Sequence, residues 1–179
     1  MEKNNEDIPT SVIKGSGFVN VNWGEEKNGS VMLVKPDCVL LGVNNLPCIL
    51  YATPGTNFQQ YQIGDEIYKI RKLVLRSSFK SKSYSKDLNI EIPEWITDFR
   101  ELEKIYLDNL VIDNLNLIKN LPLTHLGFRN VRLANEGEIV NLVNQMDRLK
   151  EISFDLSFHH IIPFLNQDIE FVFLETAGY

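Results

Sequence analysis

The apolar residues between Leu102 and Leu133 repeat a single skeleton. Leu102-x-x-Ile105-x-Leu107-x-x-Leu110-x-Ile112 is followed by Leu123-x-x-Leu126-x-Phe128-x-x-Val131-x-Leu133, with starts 21 residues apart. A fixed period in the twenties predicts stacked units, each one a short strand with a return segment. Shorter matches begin at Ile70, Leu149 and Ile169, giving five units at spacings of 32, 21, 26 and 20 residues. The long first spacing holds Ser77 to Asp87 (SSFKSKSYSKD), a polar, basic stretch without apolar periodicity that reads as a surface loop. Among the return segments, Pro93 opens a stretch in which Trp95, Ile96, Phe99 and Leu102 share one helical face. Leu115, Ile118 and Leu121 repeat that arrangement. The third return runs from Asn135 to Leu149, with Asn135 as N-cap, Glu138 as a reaching carboxylate and Ile139, Val140, Leu142, Val143 and Met146 as the apolar stripe.

Upstream of Ile70 the texture is β. Val19-x-Val21-x-Trp23 alternates with Asn20 and Asn22, Gly24 to Gly29 supplies a turn, and Val31 to Val34 completes an expected hairpin. Further strands are expected at Cys38 to Val43 and Cys48 to Tyr51. None of these carries the repeat skeleton, and an array of stacked units needs its first open edge shielded. The expected organisation is a disordered terminus at 1–8, an N-terminal β-rich cap at 9–66, and about five irregular repeats at 67–179.

The repeated L-x-x-L-x-L skeleton, with Pro-led and helical returns between its copies, resembles the leucine-rich repeat family. The resemblance implies an α/β solenoid with a parallel concave sheet, used as a protein-binding scaffold. The chain departs from the family at the ninth position of each unit, where asparagine is usual. Here that position holds Ser78, Leu110, Val131, Ser157 and Ala177, so no asparagine ladder is expected.

The alternation of a strand sends the third, fifth and seventh positions of each unit to the concave face. The thirds are Lys72, Lys104, His125, Glu151 and Phe171, and the fifths Val74, Tyr106, Gly127, Ser153 and Phe173. The sevenths are Arg76, Asp108, Arg129, Asp155 and Glu175, an expected row of exposed, alternating charges. With Tyr106 as an aromatic anchor, the expected partner-binding residues are Lys72, Arg76, Lys104, Tyr106, Asp108, His125, Arg129 and Asp155. Phe171 and Phe173 on the last strand suggest an edge that pairs with a second copy to give a homodimer, or is covered locally by aromatics.

Composition narrows the function classes. At 179 residues and a net charge of −6 the chain suits one domain with a sizeable core and does not suit a nucleic-acid surface. No apolar run is long enough to span a bilayer and the first residues lack a signal-peptide core, so a cytoplasmic, non-membrane protein is expected. Cys38 and Cys48 are read as buried, reduced thiols. The three histidines, His125, His159 and His160, form no zinc spacing, and no Walker, dinucleotide or nucleophile-elbow motif is present. Gly15-Ser16-Gly17 reads as a turn. No catalytic residue, metal or cofactor is therefore expected. The expected function is non-catalytic protein binding, as a general adaptor or as a dedicated inhibitor such as an immunity protein that neutralises a basic toxin enzyme.

Overall fold

Strands form where apolar residues alternate between turn-forming residues. The computed structural model describes residues 29–35, 37–44, 46–61, 64–77, 91–113, 115–166 and 168–173. The expected terminus at 1–8, the strand at 19–23 with its turn, residues 78–87 of the basic loop and the end of the fifth unit from Leu174 lie outside them. Three strands precede the repeats: β1 (Gly29–Lys35), β2 (Cys38–Val43) and β3 (Leu46–Ala52). The first strands of the repeat units are β4 (Lys72–Arg76), β5 (Lys104–Asp108), β7 (His125–Arg129), β9 (Glu151–Phe154) and β10 (Glu170–Phe173).

These eight strands make one sheet in the order β1-β2-β3-β4-β5-β7-β9-β10. The pairs β1–β2 and β2–β3 are antiparallel, whereas every pair from β3–β4 onward is parallel. Two short strands, β6 (Val111–Ile112) and β8 (Arg132–Leu133), pair in parallel as a second, two-stranded sheet. The structure is thus mixed α/β, dominated by a mostly parallel sheet that does not close into a barrel among the described residues.

Residues that need unusual backbone or close approach mark the turns. Asn44, between β2 and β3, has φ 52°, a left-handed conformation that asparagine tolerates better than most side chains. A Cβ on Gly42 would lie 2.3 Å from Met32 Sδ and 2.5 Å from the Leu46 carbonyl oxygen, so only glycine fits there.

Successive parallel strands are reached through returns whose turns are tighter than their apolar spacing predicts. Glu94–Asp98 and Asn116–Ile118 are 3-10 turns, not α-helices, each burying one side chain, Ile96 and Ile118. The third return does form the one α-helix among the described residues, α1 (Glu136–Asn144), burying Ile139, Leu142 and Val143. Asn135 caps it, accepting a hydrogen bond from the Gly137 N–H at 3.1 Å. The expected return bond, Asn135 N–H to the Glu138 carboxylate, is not made; the link between the two residues is the first-turn backbone bond from the Glu138 N–H to the Asn135 carbonyl at 3.1 Å.

The core lies between the sheet and these returns. Leu73, Leu75, Ile105, Leu107, Leu126, Phe128, Ile152 and Phe154 face it from the sheet, continued by Cys38, Leu40, Leu50 and Ala52. Phe58, Trp95 and Phe99 close the early part as edge-to-face pairs 4.9–6.1 Å apart. Burial pushes the Cys38 thiol up to about 12. Cys48 is only half-buried, and it sits where the β2–β3 register shifts.

Register corrects the last unit. Glu170 pairs with Glu151, Phe171 with Ile152 and Phe173 with Phe154, so β10 is displaced by one residue from the expected alignment. Phe171 turns toward the core and Glu170 takes the place assigned to it on the opposite face. Phe171 and Phe173 lie 6.3 and 6.0 Å from Phe154, and Phe173 stays half exposed.

Candidate binding face

The face opposite the core is built of rows that run across the strands. One row is Leu41, Ile49, Lys72, Lys104, His125, Glu151 and Glu170; the next is Val39, Tyr51, Val74, Tyr106, Gly127, Ser153 and Val172. A third joins Arg76, Asp108 and Arg129, with Asp155 just past the end of β9. The expected facing of the first four units therefore holds, and the face changes character along its length. Val39, Leu41, Ile49, Tyr51 and Val74 are apolar and at most 4% exposed. From Lys72 onward the first row becomes charged.

The seventh-position row is not the exposed ladder expected of it. Arg76, Asp108, Arg129 and Asp155 are 5, 1, 6 and 6% exposed. Buried charges must be paired, and here Arg76 and Arg129 share Asp108 between them. Arg129 grips Asp108 through two nitrogens, Nε–Oδ1 at 3.0 Å and Nη2–Oδ2 at 3.4 Å. Arg76 Nε stands 3.4 Å from Asp108 Oδ2 on the other side. Burial pushes the Asp108 carboxyl above its ordinary range, against the pull of Arg129 and Arg76. The Asp155 carboxylate accepts the Asn130 N–H at 2.8 Å. Arg76, Asp108 and Arg129 thus link three neighbouring strands, and all four charged side chains are almost wholly buried.

An asparagine ladder also runs along this end of the strands, contrary to expectation. It occupies the eighth positions instead of the ninth. Asn130 Nδ2 donates to Asn109 Oδ1 at 2.8 Å, and Asn109 Nδ2 donates to Ser77 Oγ at 3.0 Å. Both asparagines have left-handed backbone, φ 57° and 54°, which turns each strand out of the sheet while their amides bridge neighbouring units.

What remains accessible is the other side of the face. Lys72, Lys104, Tyr106, His125 and Glu151 are half-buried and stand together. Lys72 Nζ lies 5.0 Å from the centre of the Tyr106 ring, a cation–π contact. Burial, then the nearby Glu151, pushes the Tyr106 hydroxyl up to about 12, so it is a neutral donor. His125 Nδ1 is 2.8 Å from Thr124 Oγ1, and its Nε2 is 3.5 Å from Glu151. Burial and then Lys104 hold its pKa below the ordinary value.

The order hydroxyl, imidazole, carboxylate in Thr124, His125 and Glu151 is that of an activated nucleophile. Here the Thr124 hydroxyl donates to the Glu103 carbonyl at 3.2 Å, so its proton is directed at the backbone and not at His125 Nδ1. His160 Nε2 pairs with Glu136 at 2.6 Å on the exposed surface, while the side chain of His159 is outside the described residues. Among the described residues no group of three His, Cys, Asp or Glu side chains is placed to hold a metal. No described helix is long and apolar enough to cross a membrane.

The eight residues expected to bind a partner thus lie on one face, and four of them, Arg76, Asp108, Arg129 and Asp155, are buried where exposure was expected. Sequence reasoning missed Glu170, displaced by the slip of β10, and the ladder of Ser77, Asn109 and Asn130. The latter had a visible signal in the recurrence of Asn one residue before the apolar Leu110 and Val131. Comparison of the chain with protein-family models, with curated proteins and with solved structures gives no match.

Proposed function

We propose that the chain is a non-catalytic protein-binding module, a short solenoid of irregular leucine-rich-repeat type that engages its partner through the sheet face opposite its core. The observation that carries this reading is the half-exposed cluster of Lys72, Lys104, Tyr106, His125 and Glu151, held side by side at strand spacing, ~4.8 Å, on a rigid sheet. Buried neighbours fix its geometry, and an aromatic flanked by cations is the composition of an interface anchor. Charge along the row passes from Lys72 and Lys104 to Glu151 and Glu170, a polarity that would set a partner's register.

Within this reading the chain is a dedicated inhibitor, of the immunity-protein kind, for a basic toxin enzyme. Its net charge of −6 would speed encounter with such a partner. Two free cysteines suit a cytoplasmic setting. A second copy would pair through β10, which ends the sheet order; a light-scattering mass of one chain at high concentration would exclude that dimer.

The test is capture from native cell lysate by the tagged chain and by a Lys104→Glu, Tyr106→Ala variant. A single stoichiometric partner lost by the variant supports the face, and a basic enzyme whose affinity falls as salt rises supports the inhibitor. Several weak partners would indicate an adaptor instead. A partner retained by the variant refutes the assignment of the face. Arg129→Glu is unsuited to this test, because it would place a second carboxylate beside buried Asp108.

A further inference from the structure

We propose that the rim where the parallel strands begin carries a second binding site, an arginine groove that takes the carboxylate of an acidic protein segment. Of the six arginines in the chain, Arg76 and Arg129 lie in the buried row, while Arg71, Arg100 and Arg148 line one open groove of about 340 Å³. They are far apart in sequence, and the backbone ladder gathers them. The Glu103 N–H bonds the Arg71 carbonyl at 2.9 Å, the Thr124 N–H bonds the Glu103 carbonyl at 2.8 Å, and the Lys150 N–H bonds the Thr124 carbonyl at 2.9 Å. Positions 71, 103, 124 and 150 therefore form a row at strand spacing, and Arg100 and Arg148 stand just ahead of two of them.

The electrostatics of the groove are unbalanced. Arg71 lies 3.8 Å from Glu103, but no ion pair engages Arg100 or Arg148 among the described residues. Three guanidiniums face two carboxylates, Glu101 and Glu103, leaving one positive charge in a chain that is acidic as a whole. One carboxylate neutralises that excess, and the planar fork of arginine binds it through two parallel hydrogen bonds. A phosphate, at ~−2, would be left with negative charge beside Glu101 and Glu103. Arg100 also borders two adjoining grooves. The one with Asn116 and Asn120 has no carboxylate in its lining and gives an extended segment a track along the rim. The one with Tyr68 and Lys69 is lined by Asp65, Asp98 and Glu101 and would repel it.

The site rests on the protein-binding reading only for the source of the carboxylate, and it is tested without any partner. The full chain is titrated with triglutamate, trilysine or inorganic phosphate while the arginine Nε–Hε resonances are followed by NMR. Saturable shifts of Arg100 and Arg148 with triglutamate alone, weakened roughly fivefold by Arg100→Ala or by Arg148→Ala, are expected. No shift, or an equal shift with trilysine, overturns the site. Tighter binding of phosphate overturns its assignment to carboxylates. Shifts of the remaining arginine that persist unweakened in either variant overturn the role of the one removed. If a variant misfolds, the three titrations of the unaltered chain still decide the question.

Discussion

Removing the Asp108 carboxylate tests whether the buried charge row is structural. Asp108 is 1% exposed and lies between two guanidiniums that are themselves nearly buried, at 3.0 Å from Arg129 and 3.4 Å from Arg76. Asp108→Ala leaves both cations out of water with their shared counter-charge gone. Breaking a buried pair in this way costs about 3–5 kcal/mol, against a total stability of about 5–15 kcal/mol. Arg71→Ala is the control, because Arg71 and Glu103 form an exposed pair at 3.8 Å, worth about 0–1 kcal/mol. Urea unfolding of the two variants should separate them clearly. With a slope of about 1–3 kcal/mol per molar, the midpoint should fall by more than about 1 M for Asp108→Ala and barely move for Arg71→Ala. Removing Arg129 as well should recover part of the loss, giving a coupling of about 1–3 kcal/mol. Equal, small losses for Asp108→Ala and Arg71→Ala, with no coupling, would refute the view that these charges hold the face together.

Other substitutions probe other links. Asn109→Ala should destabilise more than Asn109→Gly, because alanine loses the amide bonds and is also strained at φ 57° by about 1–3 kcal/mol; equal melting temperatures would contradict this. Gly42→Ala should cost about 1–3 kcal/mol by denaturant titration, and Met32→Ala should rescue only part of it, since the Leu46 carbonyl oxygen cannot swing aside as Met32 Sδ can. His125 is held below its ordinary value of 6.5, so the unfolded chain binds more protons as pH falls below that value. Its contribution is complete above 6.5 and is lost as pH drops through the folded-state value. His125→Gln should flatten that part of the stability–pH curve, and an unchanged slope would assign it elsewhere, with Glu151, Glu103, Lys104 and Lys150 facing the ring.

Much of the sheet was legible because a strand declares itself through alternation. Cys38–Val43 was located to the residue, and the facing of β4, β5, β7 and β9 followed from L-x-x-L-x-L. The last strand misled because Glu170–Phe173 offers apolar residues in both registers, and the aromatic pair, the larger, won the core side. Exposure of the seventh row was not legible, since Arg76, Asp108 and Arg129 satisfy one another only across strands 32 and 21 residues apart. A pattern that scores charge as polar cannot see a charge buried by its partners. The returns failed differently: the stripe of Trp95, Ile96 and Phe99 spans little more than one turn, and over so few residues apolar spacing does not separate a 3-10 turn from an α-helix.

The measurement that bears most directly on partner binding through this face is covalent footprinting of the chain, free and with its captured partner. Lysine- and tyrosine- or histidine-directed labels would be quantified at Lys72, Lys104, Tyr106 and His125. Protection of all four on binding, with exposed Lys69 and Tyr68 on the return segment labelled as before, is the predicted result. Unchanged labelling of the four residues, with protection arising on the return segments, would contradict it.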